Sequence, residues 1–227
     1  MGKRGILLDI EGTTTPISFV YDVLFPFARR QLTEFLERAT DPLDILKAEH
    51  AGDTKAGLNP PAWSDVPVAY VGWLMDHDRK TTGLKQLQGR IWQRGYEEGK
   101  LRGVVFEDVP AALSRWRQNN VDVRIFSSGS VLAQRLLFSS VTTGDLTPHL
   151  KGYFDTTTGP KNDPESYRLI TRAFALAAPE ITFVSDVTRE LDAARIAGLR
   201  TILCIRPGNP AQEANGHSII RSFDEIA

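Results

Sequence analysis

The amino-acid sequence predicts an α/β fold, a parallel sheet interrupted by a block of helices, from three observations. The apolar run at residues 6–8 leads directly into Asp9, as a buried strand does where it enters a charged loop. In the C-terminal part of the chain, apolar strand segments alternate with amphipathic helices, which is typical of a parallel sheet with right-handed crossovers. Residues 18–101 show helical spacing and no sheet-forming run. We therefore predict a core of residues 1–17 and 102–227 and an inserted helical block.

Three helices are predicted within this block from apolar residues at helical spacing. The first begins near Tyr21 and reaches Leu36, the second covers 68–75, and the third runs from about Thr82 to Glu98. The segment 40–67 contains glycines and prolines that indicate loops, so it is predicted to lack long elements.

Beyond the block, the sequence predicts three further strands and four helices. Asn162 or Asp163 can cap a helix that has Pro164 at its first position. Gly198 is expected to end a later helix, at 188–197. The predicted elements are helix 109–119, strand 121–126, helix 131–137, the helix beginning at Pro164, strand 181–185, helix 188–197 and strand 200–205.

The amino-acid composition limits the kinds of molecule that the protein is expected to bind. The chain has 227 residues, and its 27 Lys and Arg nearly balance its 28 Asp and Glu, which provides no long-range field for nucleic acid or an anionic membrane. The single cysteine, Cys204, fits a reducing compartment and a buried strand position. No run approaches the roughly 20 apolar residues of a membrane span. We expect a cytoplasmic monomer that binds a small molecule, with no nucleic acid and no membrane.

Polar side chains follow several predicted strands and loops whose ends meet at one edge of a parallel sheet. They are Asp9 with Glu11, Ser127 with Ser128, Lys161, and Asp186.

Each residue type suits phosphoryl transfer. Carboxylates are the ligands that Mg²⁺ prefers, a serine-rich turn opening a helix can hold phosphate oxygens, and a lysine offsets negative charge in the transition state. Asp9 can attack phosphorus, while Glu11 protonates the leaving oxygen and later accepts a proton from water.

Four segments resemble the ordered motifs of the haloacid-dehalogenase-type phosphatases. They are Asp-Ile-Glu-Gly-Thr-Thr at 9–14, Ser-Ser-Gly-Ser at 127–130, Gly-Pro-Lys at 159–161 and Ser-Asp-Val-Thr-Arg-Glu at 185–190. Most of that superfamily has Asp as the second acid of the first motif. Here it is Glu11, which is similar to the enolase-phosphatase (acireductone synthase) family of methionine salvage. Segments 76–96 and 205–209 also resemble that family.

The resemblance implies a Rossmann-like core, an inserted helical cap and one Mg²⁺ per chain. The implied metal ligands are Asp9, Glu11 through its main-chain oxygen, and Asp186, and the implied phosphate ligands are Ser127, Ser128 and Lys161. The implied reaction converts 2,3-diketo-5-methylthiopentyl-1-phosphate to an acireductone by enolisation and loss of phosphate.

Several alternatives remain open at this level. Gln88, Trp92 and Tyr96 either contact the substrate or pack against neighbouring residues. Glu190 either pairs with Lys161 or simply occupies the first turn of its helix. The carbon-bound proton is removed by Glu11 in our hypothesis, or by a cap residue.

Two other functions compete with the enolase-phosphatase interpretation. One is a phosphatase of another small phosphate ester without enolase activity. The other is a receiver-like phosphoacceptor module, which also uses a strand-end aspartate, Mg²⁺ and a lysine. An acid two residues after the nucleophile argues against the second, because it would speed hydrolysis of a phosphorylated switch.

Overall fold

A parallel six-stranded sheet carries the polar strand ends. The computed structural model describes residues 4–38 and 43–226, and the strands within them have the order β3-β2-β1-β4-β5-β6. Every neighbouring pair is parallel. The strands are β1 (Gly5–Leu8), β2 (Asp122–Phe126), β3 (Gly152–Phe154), β4 (Ile181–Ser185), β5 (Arg200–Cys204) and β6 (Ser218–Ile220). The predicted α/β class is confirmed.

Eight α-helices are found in the described residues, and a short π-helix at Phe19–Leu24 precedes the first of them. They are α1 (Phe25–Arg38), α2 (Leu43–Lys55), α3 (Val68–Asp76), α4 (Thr82–Glu97), α5 (Asp108–Gln118), α6 (Val131–Ser139), α7 (Pro164–Phe174) and α8 (Thr188–Ile196). None of the helices in this part of the chain combines the length and apolar character needed to cross a bilayer.

The centre of the sheet is its most buried part. Leu8 of β1 is paired in register with Ile125 on one side and Val184 on the other, and all three side chains are buried. Helices α7 and α8 cover the sheet through apolar residues such as Ile170 and Leu191. Because β1 is paired on both sides, the residues that follow it have a fixed position relative to the ends of β2 and β4.

Capping residues mark the start of α7 and the end of α8. The Asp163 side chain accepts a hydrogen bond from the Glu165 N–H, and Pro164 is the first residue of α7, as predicted. Gly198 follows α8 with a φ of +92°, a conformation that favours glycine. The Asp163 cap fixes where the connection from β3 to α7 ends, and that connection carries Lys161.

The chain divides into two compact units with boundaries at Val20–Tyr21 and Leu101–Arg102. One unit contains the sheet. In the described residues of the other, from Tyr21 to Leu101, the regular elements are all helical. The helical unit has its own buried polar centre, where Asp53 accepts hydrogen bonds from Tyr70 Oη at 2.9 Å and Arg79 Nη2 at 2.7 Å.

Three elements differ from the sequence-based expectation. Residues 40–67 were expected to lack long elements, and this prediction is wrong because α2 occupies Leu43–Lys55; residues 40–42 lie outside the described residues. Few α2 side chains are buried, so its apolar pattern is weak, and its ordering depends on contacts such as the Gly83 N–H to Glu49 bond of 2.9 Å. Strands β3 and β6 were not predicted, because three residues at a sheet edge give no readable periodicity.

Candidate active site

Asp9 lies immediately beyond β1 and is almost completely buried. Its N–H donates to the carbonyl of Val184 at 3.0 Å, so the pairing with β4 continues one residue past the strand. The Ser185 hydroxyl lies 3.4 Å from Asp9 Oδ2 and 3.2 Å from Glu190 Oε2. The Asp9 carboxylate is therefore held at the carboxyl edge of the sheet, where the sequence predicts it.

The loop after Asp9 folds back on itself. The N–H groups of Thr13, Thr14 and Thr15 donate to the carbonyl of Ile10 at distances of 3.1, 3.0 and 2.9 Å. The Thr14 hydroxyl is 3.2 Å from the Asp9 carbonyl. These bonds within the loop satisfy buried backbone groups and give the segment after β1 a defined shape.

Gly12 is required at the closest point of this loop. Its φ is +74°, and a Cβ at this position would collide with the Asp186 carboxylate. Glycine alone allows both the left-handed backbone and the close approach to Asp186. The glycine of the first motif therefore brings the end of β1 against the end of β4.

Lys161 forms ion pairs with two carboxylates of the site. Its Nζ lies 2.6 Å from Asp9 Oδ1 and 2.6 Å from Glu190 Oε2, and its side chain is only 10% exposed. Glu190 lies in the first turn of α8 and also pairs with Lys161, so both features left open for it are present. Burial alone lowers the pKa of the Lys161 ammonium, but the charges of Asp9 and Glu190 outweigh it and hold this pKa above its ordinary value.

The first turns of α7 hold the loop that carries Lys161. The Tyr167 hydroxyl donates to the Lys161 carbonyl at 2.7 Å, and the Ser166 hydroxyl donates to the Pro160 carbonyl at 2.7 Å. Gly159 has a φ of +143°, and a Cβ there would collide with the Ser166 hydroxyl. The position of the ammonium group is thus set by backbone bonds as well as by its ion pairs.

Asp186 has an available oxygen. Its Oδ2 lies 3.2 Å from the amide nitrogen of Asn209, whereas its buried Oδ1 has no hydrogen-bond partner among the described residues. Burial, together with the negative charge of Asp9, raises the pKa of Asp186 to about 7. A buried acid whose charged form is disfavoured, with a free oxygen beside another carboxylate, fits a divalent cation.

The cation would not depend on a cluster of three acidic side chains. Within 4–38 and 43–226, no group of three or more His, Cys, Asp or Glu side chains could hold a metal ion. The predicted ligand set uses only the Asp9 and Asp186 side chains, and its third oxygen belongs to the main chain of Glu11. The donors present are the hard oxygen ligands that Mg²⁺ accepts while it keeps several waters.

Ser127 and Ser128 follow β2, beside β1 in the sheet. Ser127 is buried, and its hydroxyl accepts a hydrogen bond from the Gly129 N–H at 3.2 Å, so it shapes the turn that opens α6. The Gln134 side chain donates to the Gly129 carbonyl at 2.8 Å and fixes the same turn. Contact of Ser127 and Ser128 with phosphate stays a prediction.

Gln88, Trp92 and Tyr96 lie on α4 in the helical unit. Trp92 has a packing role there, because its Nε1 donates to the Leu24 carbonyl at 2.9 Å and its ring lies 6.2 Å from that of Phe25, measured between centroids. The Tyr96 hydroxyl is buried and has no hydrogen-bond partner in the described part of the chain. Contact of the three side chains with a substrate stays a prediction.

Sequence reasoning missed three residues that shape the site. Ser185 directly precedes Asp186 in the 185–190 segment, but its residue type alone predicts no role at the site. Arg206 and Asn209 were noted only as part of a segment resembling the enolase-phosphatases. Both reach the loop after β1, where Arg206 Nε lies 3.1 Å from the Thr13 carbonyl and Asn209 Nδ2 lies 2.8 Å from the Gly12 carbonyl. No local pattern indicates such long-range bonds.

Comparison with known proteins identifies the class to which the chain belongs. A family model described as haloacid dehalogenase-like hydrolase matches residues 3–198. Among solved structures, the UTR4 protein of Saccharomyces cerevisiae is 35% identical with a TM-score of 0.81, covering 99% of this chain and 100% of that chain. The fold and the strand-end residues therefore define a hydrolase of the haloacid dehalogenase class.

Curated relatives define the group more narrowly. Enolase-phosphatase E1 of Synechococcus elongatus is 48% identical over 97% of this chain and 96% of its own length. Enolase-phosphatase E1 of Sorangium cellulosum is 45% identical over 99% of this chain and 97% of its own length. The chain belongs to the haloacid dehalogenase-like hydrolases and, within them, to the enolase-phosphatase E1 family, which confirms the resemblance of the motifs.

Proposed function

We propose that this enzyme converts 2,3-diketo-5-methylthiopentyl-1-phosphate to the acireductone 1,2-dihydroxy-3-keto-5-methylthiopentene and inorganic phosphate, as an acireductone synthase of methionine salvage. The observation that supports it most directly is the position of Lys161, which lies 2.6 Å from both Asp9 and Glu190. The Lys161 ammonium is buried beside the Asp9 carboxylate, and Asp186 has an oxygen without a hydrogen-bond partner in the described residues. This arrangement suits nucleophilic attack on a phosphate ester.

Asp9, Glu11 and Asp186 would hold one Mg²⁺ per chain, with Glu11 contributing its main-chain oxygen. When bound, Mg²⁺ would offset the charge of the carboxylates and the phosphate and polarise a substrate oxygen. Asp186 Oδ1 is the donor that supports this assignment, because it is buried and has no hydrogen-bond partner in the described residues.

In the phosphatase half, one Asp9 carboxylate oxygen forms a bond to phosphorus, and the bond between phosphorus and the ester oxygen breaks. Glu11 gives its proton to that oxygen as it leaves. The Glu11 carboxylate then accepts a proton from water, which attacks phosphorus, releases phosphate and regenerates Asp9. Lys161, Ser127 and Ser128 would hold the phosphate oxygens throughout.

In the enolase half, a base removes a carbon-bound proton made acidic by the adjacent diketone. We assign this base to Glu11, which has one methylene more than the aspartate usual at its position in the superfamily. The proton leaves carbon for the Glu11 carboxylate, and the electron pair moves to the carbonyl oxygen to give an enolate. The enolate oxygen takes a proton from water to give the enol, and Glu11 keeps the carbon-derived proton that it later gives to the leaving oxygen.

The remaining assignments belong to the same proposal. Of the two units, the one that contains the sheet would be the phosphatase core and the 21–101 unit its cap, with Gln88, Trp92 and Tyr96 as cap residues that contact the substrate. The balanced charge and the buried Cys204 thiol support a cytoplasmic monomer acting on a small molecule without nucleic acid or membrane.

The test is incubation of the purified enzyme with the diketo phosphate and Mg²⁺, following enol and inorganic phosphate separately. We expect enol and then phosphate from the parent, and no phosphate from Asp9→Asn. Phosphate release from other esters without enol formation would contradict the proposal in favour of a simple phosphatase. A stable phosphorylated protein without turnover would favour a phosphoacceptor module.

A further inference from the structure

A tight turn after β5 carries a side chain into the site. The Asn209 N–H donates to the Arg206 carbonyl at 3.2 Å, and Pro207 and Gly208 occupy the central positions, with a φ of +86° at Gly208. Proline followed by glycine at these positions is the sequence of a type II β-turn. The turn therefore has a defined shape that fixes where the Asn209 side chain begins.

The Asn209 amide connects the two loops that carry the carboxylates. Its Nδ2 lies 2.8 Å from the Gly12 carbonyl and 3.2 Å from Asp186 Oδ2. The first contact holds the loop after β1, and the second holds the acid after β4. One side chain thus sets the distance between the two loops.

The turn is itself attached to the loop after β1 by a buried arginine. Arg206 Nε lies 3.1 Å from the Thr13 carbonyl, and its Nη1 lies 2.9 Å from Asp108 Oδ2. The guanidinium also lies over the Phe106 and Phe223 rings, 4.5 and 4.7 Å from their centroids. This anchoring leaves Asn209 little freedom to move away from Asp186.

Asn209 divides the two oxygens of Asp186 between different partners. Asp186 Oδ2 accepts a hydrogen bond from the Asn209 side-chain amide, while Asp186 Oδ1 is buried and has no hydrogen-bond partner among the described residues. An amide is a neutral donor, so it orients the carboxylate without cancelling the negative charge that attracts a cation. Asn209 Oδ1 is also buried and has no hydrogen-bond partner in that part of the chain.

We propose that Asn209 is a positioning residue for the divalent cation site. The Asn209 amide holds Asp186 through Oδ2, so that Asp186 Oδ1 is the oxygen that binds Mg²⁺. The inference rests on the proposed function, because it takes Asp186 as a ligand. The free Asn209 Oδ1 adds an acceptor beside this ligand for one of the waters that Mg²⁺ keeps.

The experiment is calorimetric titration of Mg²⁺ into the metal-free protein without substrate, comparing the parent with Asn209→Ala. Loss of a residue that orients a ligand typically costs 10- to 100-fold in metal affinity, so we expect the Mg²⁺ dissociation constant to rise by about that factor. The matched control is Gln93→Ala, which removes another amide–carboxylate bond, 2.8 Å long, from Gln93 to Glu97 in the helical unit.

A second measurement separates positioning from a structural role. We expect Mg²⁺ to raise the melting temperature of Asn209→Ala less than that of the parent at equal concentration. A purely structural role would lower the melting temperature of the metal-free variant and leave its Mg²⁺ dissociation constant unchanged. If Asn209→Ala does not fold, Asn209→Ser takes its place, since the shorter hydroxyl does not span both acceptors.

The outcomes distinguish this inference from the function on which it rests. A variant dissociation constant within twofold of the parent value overturns the positioning role and leaves the proposed function intact. A parent that binds no Mg²⁺ overturns both. A matching rise in Gln93→Ala overturns the inference as well, because the effect would then not depend on Asp186.

Discussion

Lys161 Nζ lies 2.6 Å from Asp9 Oδ1, although 152 positions separate the two residues in the chain. Asp9 follows the central strand β1, and Lys161 is in the loop that precedes α7, held there by the Tyr167 hydroxyl. Because the ammonium also contacts Glu190, it is the shared counter-ion of a buried acid and a partly buried one. The carboxylate that we propose as nucleophile and the cation that would stabilise its transition state therefore lie together in the structure without substrate.

Replacing this shared cation should remove most of the turnover. In Lys161→Met, the phosphate loses its positive partner, and so do the Asp9 and Glu190 carboxylates. We therefore expect kcat/KM to fall by about 100- to 1,000-fold, the scale of losing one oriented electrostatic group. Steady-state phosphate release measures it. The control is Lys151→Met, an exposed lysine of the same unit, and a loss below about fivefold for Lys161→Met would contradict the role.

Gly12 and Gly57 allow a matched test of the contact between the first loop and Asp186. Both have a φ of +74°, but a Cβ at Gly12 meets the Asp186 carboxylate, whereas a Cβ at Gly57 has nothing within 4 Å. Both alanine variants should therefore lose about 1 kcal/mol of stability from the backbone conformation.

Only Gly12→Ala should also disturb the site. The added methyl group should displace the Asp186 carboxylate by up to about 1 Å, and we expect this to lower the rate of phosphate release by about 100-fold. Gly57→Ala should keep the activity of the parent. Chemical denaturation and steady-state kinetics on the same preparations supply the two readouts. Equal activity in the two variants would show that the close contact has no catalytic consequence.

The central part of the fold and the main acids of the site could be predicted from sequence, because their signals are local. An apolar run ending at Asp9 indicates a buried strand, and a capped helix after Lys161 is readable from Asp163 and Pro164. The short strands β3 and β6 have no such signal. Helix α2 was missed because few of its side chains face a core and its contacts lie far along the chain.

The finer construction of the site depends on long-range bonds. Asn209 and Gly12 are 197 positions apart, yet a 2.8 Å bond joins them. No spacing rule connects an asparagine in a turn after β5 with a carbonyl after β1. Similarly, the position of Glu190 in the first turn of α8 could be predicted from the sequence, but its 2.6 Å ion pair with Lys161 could not be established without the structure.

The Tyr167 hydroxyl tests how the Lys161 loop is held. In Tyr167→Phe, the Lys161 carbonyl loses its 2.7 Å hydrogen bond, so we expect a stability loss of about 1 kcal/mol and a severalfold lower kcat. Tyr153→Phe is the matched control, because the buried Tyr153 hydroxyl has no hydrogen-bond partner in the described residues. Urea denaturation should find the control within about 0.5 kcal/mol of the parent; a similar loss in both would contradict the loop-anchoring role.

Asp108 should make stability depend on pH through its hydrogen bond from the Phe223 N–H and its ion pair with Arg206. Burial raises the pKa of Asp108, but the Phe223 N–H and the Arg206 guanidinium outweigh this and lower it below its ordinary value. A depressed folded-state pKa contributes stability above the unfolded value of about 3.9, and this contribution is lost as pH falls through the folded value.

We therefore expect Asp108→Asn to lower the free energy of unfolding by about 2 kcal/mol at pH 7, and by progressively less as pH falls below about 4. Denaturant titrations across this range measure the difference from the parent. Asp224→Asn is the control, since Asp224 is exposed and lies 3.6 Å from Arg115. A difference that is constant with pH would contradict the linkage.

Glu11→Asp separates the two halves of the reaction. The shorter side chain should still donate and accept a proton at phosphorus, as aspartate does at this position in most of the superfamily, but it withdraws the carboxylate from the carbon-bound proton. We expect enol formation to fall by about 100-fold while phosphate release from a simple ester stays within about tenfold of the parent.

The measurement follows enol by absorbance and phosphate by a separate assay, with Glu107→Asp as an exposed control in the same unit. Because the diketo phosphate must enolise before it loses phosphate, a slow enolisation step would limit both signals with this substrate, and the simple ester reports the phosphatase half alone. If enol formation survives undiminished in Glu11→Asp while phosphate release falls, Glu11 is not the enolisation base, and a residue of the 21–101 unit becomes the candidate.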